Sequence, residues 1–372
     1  MLSDTSRPVV QATLPVVGAN IADIAERFYD HLFGEHPELL DGVFNRGNQA
    51  EGAQQQALAG SVASFATALL ETPERVPEKL LSRIAHKHAS LGISPEQYHV
   101  VHDNLMWAIV DVLGEAVTPE VAAAWDEVYW LMANALVNIE RGLYSARGVR
   151  PQTVWRPWEV EQKIVETYDV VSFVVRRVDD RPVKTTASTD TSRSSGCRGN
   201  GKPAGEVSNL LHDAVDVGDV LTLSLPYGDV VLDDSGDPIV FVSAGIGITP
   251  MAGMLSHLVV AGSRLPIQLL HADLDERSFA LRRQVRDDVA ALPNTSMHVW
   301  YERGTDAAGS GGTSAGTMDL SGVDLRPDAR YYLCGPLPFM QAVRGALLDR
   351  GVPPRAIQYE VFGPDLWQAD LD

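Results

Sequence analysis

The sequence predicts a multi-domain protein: an all-α N-terminal domain, a short β-rich middle, and a C-terminal α/β domain built on a parallel sheet. Three observations carry this. Residues 1–146 are rich in Ala and Leu, with long runs of 3.6-residue periodicity and few internal Gly or Pro. From Pro238 onward strand-like runs alternate with helical ones, the pattern of a parallel sheet with crossover helices. Between them, residues 147–237 hold strand-like runs interrupted by a polar stretch. A chain of 372 residues accommodates about two or three such domains.

In the first domain, helices are predicted near 7–17, 18–34, 51–71, 76–91, 95–114 and 118–145, with breaks at His36-Pro37 and Thr118-Pro119. On the fourth helix Leu81, Ile84 and His88 fall three and then four residues apart, so they share one apolar face. His86 lies about 200° round the helix and points elsewhere. A histidine on apolar surface is either a core residue bonded to a carbonyl or a ligand to a metal or haem; spacing alone leaves both open.

In the last domain, strands are predicted at 238–245, 266–273, 296–302, 330–336 and 357–363. The first ends in Gly245, Ile246, Gly247, Ile248, Thr249 and Pro250 and leads into a helix. Glycines there let backbone amides approach a phosphate, and the helix N-terminus adds its dipole. Together with Cys334, Gly335 and Pro336 at the end of a later strand, the pattern resembles the nicotinamide-nucleotide domain of the ferredoxin-reductase class, which implies a site at the strand C-termini. The second strand ends with Asp273, Asp275 and Glu276 beside Arg277, where carboxylates favour a free ribose hydroxyl and hence NADH over NADPH. The Gly-rich run 304–316 reads as a flexible loop.

Charge narrows the partners. The net charge of -19 argues against nucleic acid and anionic membrane surfaces, both polyanions. No apolar run approaches the ~20 residues of a membrane span. No signal peptide is evident, and Cys197 with Cys334 offers neither a disulfide framework nor zinc spacing. A cytoplasmic monomer acting on small molecules is expected.

The runs ERFYDHLFGEHPELLDGVFN, NQ-x4-QQQAL and IAHKHASLGISPEQY resemble the globin domain of bacterial flavohaemoglobins. The resemblance implies His88 as the proximal ligand of haem b iron, Phe44 packed flat on the haem, and Tyr29, Gln54 and Leu58 on the distal side. A hydroxyl such as that of Tyr29 would steady an oxygen ligand that has taken on negative charge. Tyr98 and Glu140 match the pair that bonds behind the proximal histidine, raising its basicity. Lys87 and Glu360 match positions near the haem–flavin contact. Val361, Phe362, Gly363 and Pro364 match the segment against the flavin ring, with Phe362 stacking. The implied activity is nitric oxide dioxygenase: NADH reduces FAD, FAD reduces the haem, and NO is oxidised with O2 to nitrate.

The middle follows that pattern only in part. A small antiparallel FAD barrel is implied over 147–237, with strands at Trp158–Glu166, Tyr168–Arg177, Val220–Leu225 and Asp229–Leu232. Residues 205–212, including Ser208 and Asn209, resemble the segment that meets the FAD pyrophosphate. The family's Arg-x-Tyr-Ser/Thr motif occurs nowhere in the chain. In its place residues 184–203, KTTASTDTSRSSGCRGNGKP, offer almost no apolar area against an ordering cost of about 1–2 kcal/mol per residue, which predicts disorder and an incomplete barrel about 40 residues short. If the barrel cannot hold FAD, the chain is instead a haem-based O2/NO binder or sensor whose own reductase is inactive.

Overall fold

The computed structural model describes residues 1–39, 53–73, 77–179, 191–193, 206–233, 235–303 and 312–361. They form two compact units: one holds Met1–Arg156 with Tyr227–Asp229, the other Pro157–Pro226 with Val230–Phe362.

The helical unit contains α1 (Ser6–Ala19), α2 (Ile21–Glu35), α3 (Ala53–Glu71), α4 (Glu78–Leu91), α5 (Pro95–Leu113) and α6 (Pro119–Arg147). Its boundaries follow local chemistry. The α1–α2 pair bends by 78° at Asn20. Ser94 and Gln97 form a capping box at α5, with Pro95 in the first helical position, and Thr118 Oγ1 accepts from the Val121 amide at α6. At the C-terminus of α4, Gly92 (φ +80°) takes the left-handed conformation, its amide and that of Ile93 donating back to the last turn, including the His88 carbonyl. Ile24, Phe28, Leu32, Phe65, Leu81 and Trp125 are buried in one core, each contributing roughly 1.5–3 kcal/mol. No single described helix is long and apolar enough to cross a membrane.

The second unit carries two sheets. The first is antiparallel, in the order β3-β2-β1-β4, from β1 (Trp155–Val165, whose first two residues belong to the helical unit), β2 (Val170–Arg177), β3 (Thr191–Arg193) and β4 (Val220–Ser224). Helix α7 (Glu206–Ala214) precedes β4, and Val160, Val171, Phe173 and Val215 form this part's core. Three residues of the run expected to be disordered therefore pair with β2, because edge pairing needs backbone groups rather than an apolar face. The rest of 180–205 lies outside the described residues.

The second sheet is parallel, in the order β10-β9-β5-β6-β7-β8. Its strands are β5 (Ile239–Ala244), β6 (Ile267–Asp273), β7 (Thr295–Tyr301), β8 (Thr313–Ala315), β9 (Arg330–Cys334) and β10 (Ile357–Glu360), joined in part by α8 (Ile248–Val260), α9 (Arg282–Ala291) and α10 (Leu337–Leu348). Three expectations are corrected. Residues 229–232 form no strand: Asp229 pairs with Arg83 of the helical unit, and the Asp233 amide donates to Tyr332 Oη. Residues 313–315, at the end of the presumed loop, add β8 to the sheet edge. Strand β10 ends at Glu360, short of the predicted 363.

Candidate functional site

The last turn of α4 places His88 where α5 and α6 supply its support. Its Nδ1 lies 2.9 Å from Glu140 Oε1 and 2.9 Å from Tyr98 Oη, while the Tyr98 hydroxyl donates to the same carboxylate oxygen at 2.6 Å. Glu140 is 2% exposed and Tyr98 6%. The single phenol proton goes to Glu140, and an ionised carboxylate has none to give, so the Nδ1 proton must come from the imidazole. That tautomer leaves the Nε2 lone pair facing away from the carboxylate, ready for a metal. Burial first, and the Glu140 charge second, push the Tyr98 phenol far above its ordinary pKa, keeping it a donor.

Among the described residues no group of three or more His, Cys, Asp or Glu side chains could enclose a metal. One anchored imidazole beside apolar Leu81 and Ile84 fits haem, which brings its own ring of ligands. On α2, Tyr29 is 5% exposed, edge-on to Phe28 (4.8 Å between ring centroids) and stacked on Phe33 (5.6 Å). Leu58 of α3 joins the same core cluster. Gln54 lies in the first turn of α3, its side chain outside the described residues, as is all of Phe44.

The strands run parallel throughout, but the order in which they are added reverses between β5 and β9, which opens a crevice at their C-terminal ends, and both Gly motifs meet at it. Gly245 has φ +53°, and a Cβ on Gly247 would lie 2.2 Å from the Cys334 carbonyl oxygen. One on Gly335 would meet Phe339 at 2.9 Å and Ala244 at 3.2 Å. Neither Gly247 nor Gly335 has room for a side chain, with Ile246 in the first turn, Ile248 and Thr249 buried at the start of α8, Pro250 half-buried beside them, and Pro336 at the N-cap of α10. Such a groove of amides fits the diphosphate of a dinucleotide. Glu360 pairs in register with Cys334 across β10 and β9, and Val361 follows it; Phe362, Gly363 and Pro364 lie outside the described residues. Lys87 is exposed on α4, in the other unit from Glu360.

The acidic group at the end of β6 is present but already engaged. Asp273 accepts from the Leu274 amide (2.7 Å), Asp275 from the Arg277 and Ser278 amides, and Glu276 pairs with Arg282 and Arg286. Beside it lies a trio that the sequence reading missed: fully buried His271 has Nδ1 2.9 Å from Ser243 Oγ and Nε2 3.4 Å from Asp273 Oδ2. A polar residue inside the apolar run PIQLLHAD was the available signal.

In the antiparallel sheet, Ser208 and Asn209 stand half-buried near the start of α7. Lys163 is held by Asp216, Arg176 by Glu159 and Glu161, and Arg177 by Asp179, whereas Arg156 of β1 has a buried Nε without a hydrogen-bond partner.

With this geometry in view, residues 26–136 match the globin family and residues 241–345 the oxidoreductase NAD-binding domain. The chain is similar to a flavohemoprotein of Chromobacterium violaceum, 38% identical with 98% of each chain covered, and to one of Bordetella parapertussis, 37% identical with 98% of this chain and 99% of the relative covered. Its fold is similar to that of a flavohemoglobin from Malassezia yamatoensis with bound FAD and heme, at TM-score 0.86 and 33% identity, covering 97% of this chain and all of the other. The Chromobacterium alignment runs to 406 positions but uses 98% of 372 residues, about 365, so about 41 positions have no counterpart in this chain.

Proposed function

Because the chain belongs to the flavohaemoprotein family, whose members it matches over nearly its whole length, we propose that it is an NADH-dependent nitric oxide dioxygenase of the cytoplasm, acting as a monomer. One relative in structure is the FAD/NAD-binding domain of a nitric oxide dioxygenase from Vibrio cholerae, similar over 56% of this chain at 28% identity and TM-score 0.50. The observation that carries the reading is the buried Glu140–Tyr98–His88 arrangement. When bound, haem supplies the iron at which NO and O2 combine to nitrate, and FAD supplies the conversion of a hydride into single electrons.

What the chain itself contributes follows from its residues. His88 offers Nε2 to the iron, and Glu140 holds the Nδ1 proton, making the ring a stronger electron donor. That push favours oxygen chemistry over reversible storage. Tyr29 would bring its buried hydroxyl to the distal side, with Leu58 and Gln54 of α3 as the other distal residues, and Phe44 would pack on the haem. The Gly245–Gly247 turn and Cys334–Pro336 cradle the dinucleotide phosphates, with Asp273, Asp275 and Glu276 favouring NADH. Ser208 and Asn209 would face the flavin diphosphate, Val361, Phe362, Gly363 and Pro364 its ring, and Lys87 and Glu360 would tune transfer between the groups.

A second reading is favoured by one specific observation. The Arg-x-Tyr-Ser/Thr motif is missing, and about 41 aligned positions are unmatched. A chain unable to hold FAD would be a haem-based O2/NO binder or sensor. An anaerobic absorption spectrum of haem-loaded protein with excess FAD, before and after NADH or NADPH, separates the two. Rapid reduction of the haem by NADH, and slower reduction by NADPH, is expected. Haem that stays ferric with either but reduces with dithionite would establish the sensor reading.

A further inference from the structure

Residues 129, 140 and 144 are spaced eleven and four apart, which places them within about 60° of one face of α6. That face meets the last turn of α4, the first turn of α5 and the segment between them, and each of the three makes a hydrogen bond there. Tyr129 Oη donates to the Tyr98 carbonyl at 2.6 Å, and Tyr144 Oη donates to the Ile93 carbonyl at 2.8 Å. Between them Glu140 accepts from Tyr98 and His88.

The bonds close a circuit. The Ile93 amide donates to the His88 carbonyl at 3.1 Å, so the residue that Tyr144 grips is tied directly to the backbone of His88. Tyr129 grips the backbone of the residue whose phenol reaches Glu140. Both ends of the His88–Tyr98 stretch are thereby referred to one rigid helix, the one that also carries the carboxylate. The rings hold their places by packing: Tyr129 lies against His102 and Trp130 (5.0 and 5.2 Å between centroids), and Tyr144 packs with Ala89 and Val154. The hydroxyls add direction rather than bulk. Burial pushes both phenols above their ordinary pKa, so they remain donors at any physiological pH.

We propose that Tyr129 and Tyr144 are positioning residues for the proximal imidazole: by fixing the Tyr98 and Ile93 carbonyls they set the His88 Nδ1–H to Glu140 geometry, and so the electron density that the ring gives a metal. This rests on the reading of His88 as the haem ligand. Hydrogen-bond strength falls steeply with distance and angle, so a small shift of either end weakens the push.

The test is the iron–histidine stretching band in the resonance Raman spectrum of the ferrous, haem-loaded full chain. Tyr129→Phe and Tyr144→Phe keep the rings and remove only the hydroxyls. Each is expected to move the band to lower frequency, the double variant further, with Tyr98→Phe setting the full scale. Thr13→Val is the control: it removes the hydroxyl that accepts from Trp125 Nε1 at 2.9 Å, a part-buried bond between α1 and α6 that shares no partner with the His88 circuit, and should leave the band in place. A double variant whose band stays at the wild-type frequency while Tyr98→Phe moves it overturns the proposal, whatever happens to thermal stability. A wild-type protein with no such band overturns the ligand reading itself, a different and separately visible failure.

Discussion

Cys334 illustrates how a single residue reports on its surroundings. Its side chain is fully buried at the end of β9, and burial, then the charge of Glu360 opposite, pushes the thiol up to about 12. An acid whose folded pKa is raised keeps its proton in the native state while the unfolded chain releases it. The contribution is therefore absent below about pH 9 and becomes an increasing loss of stability as pH rises toward 12, up to about 1.4 kcal/mol per unit. Chemical denaturation between pH 8 and about 11 should show a steeper fall for the wild type than for Cys334→Ala; parallel curves would mean the thiol is not the source. At this scale the apolar stripe marked His88 but left it as either a core residue or a ligand. Glu140 was legible only through the family resemblance, since a glutamate near a helix end is ordinarily solvated. Tyr129 and Tyr144 were not legible, because a hydroxyl bonded to a backbone carbonyl leaves no partner residue in the sequence pattern.

At the level of elements, the turn after α4 shows a sequence signal with a checkable cost. Gly92 sits at φ +80°, and a Cβ there would lie 2.6 Å from the Pro151 carbonyl oxygen and 2.9 Å from Val154 Cγ2. The left-handed conformation alone costs a non-glycine residue roughly 1–2 kcal/mol, and the clash adds to it. Gly92→Ala should thus lower unfolding free energy by at least about 1 kcal/mol and weaken haem retention, because the displaced turn carries the His88 carbonyl's partner. A variant as stable as wild type in denaturant would show that the turn can relax away from Pro151. Long helices with Ser-Pro and Thr-Pro starts, and strands ending in Gly motifs, were readable because local chemistry and tertiary role agree in them. Residues 229–232 misled for the opposite reason: their Val-Val-Leu run suits a strand, yet Asp229 is committed to Arg83 and the following backbone to Tyr332.

At the scale of the whole molecule, the order of helical, antiparallel and parallel parts was visible in the changing hydrophobic period, whereas the route of the chain between them was not. Tyr227–Asp229 lies in sequence between β4 and β5 but belongs to the helical unit, where Tyr227 packs edge-on to Tyr144 (6.3 Å) and under the Arg147 guanidinium (5.0 Å). Nothing in a tyrosine–glycine–aspartate run announces such an excursion; it follows from contacts more than seventy residues apart. Its energetic weight can be measured. Arg147 and Tyr227 are both partly buried, so their cation–π contact is screened less than one on the open surface and should be worth about 0.5–2 kcal/mol. A double-mutant cycle with Arg147→Met and Tyr227→Leu, read by denaturation of the full chain, should give a coupling energy in that range. The same cycle repeated at high salt should retain most of it, since a desolvated contact is little affected by ions in solution. A coupling below about 0.3 kcal/mol would mean that the segment merely rests on the helical unit, and that the Arg83–Asp229 pair, not the aromatic contact, ties it there.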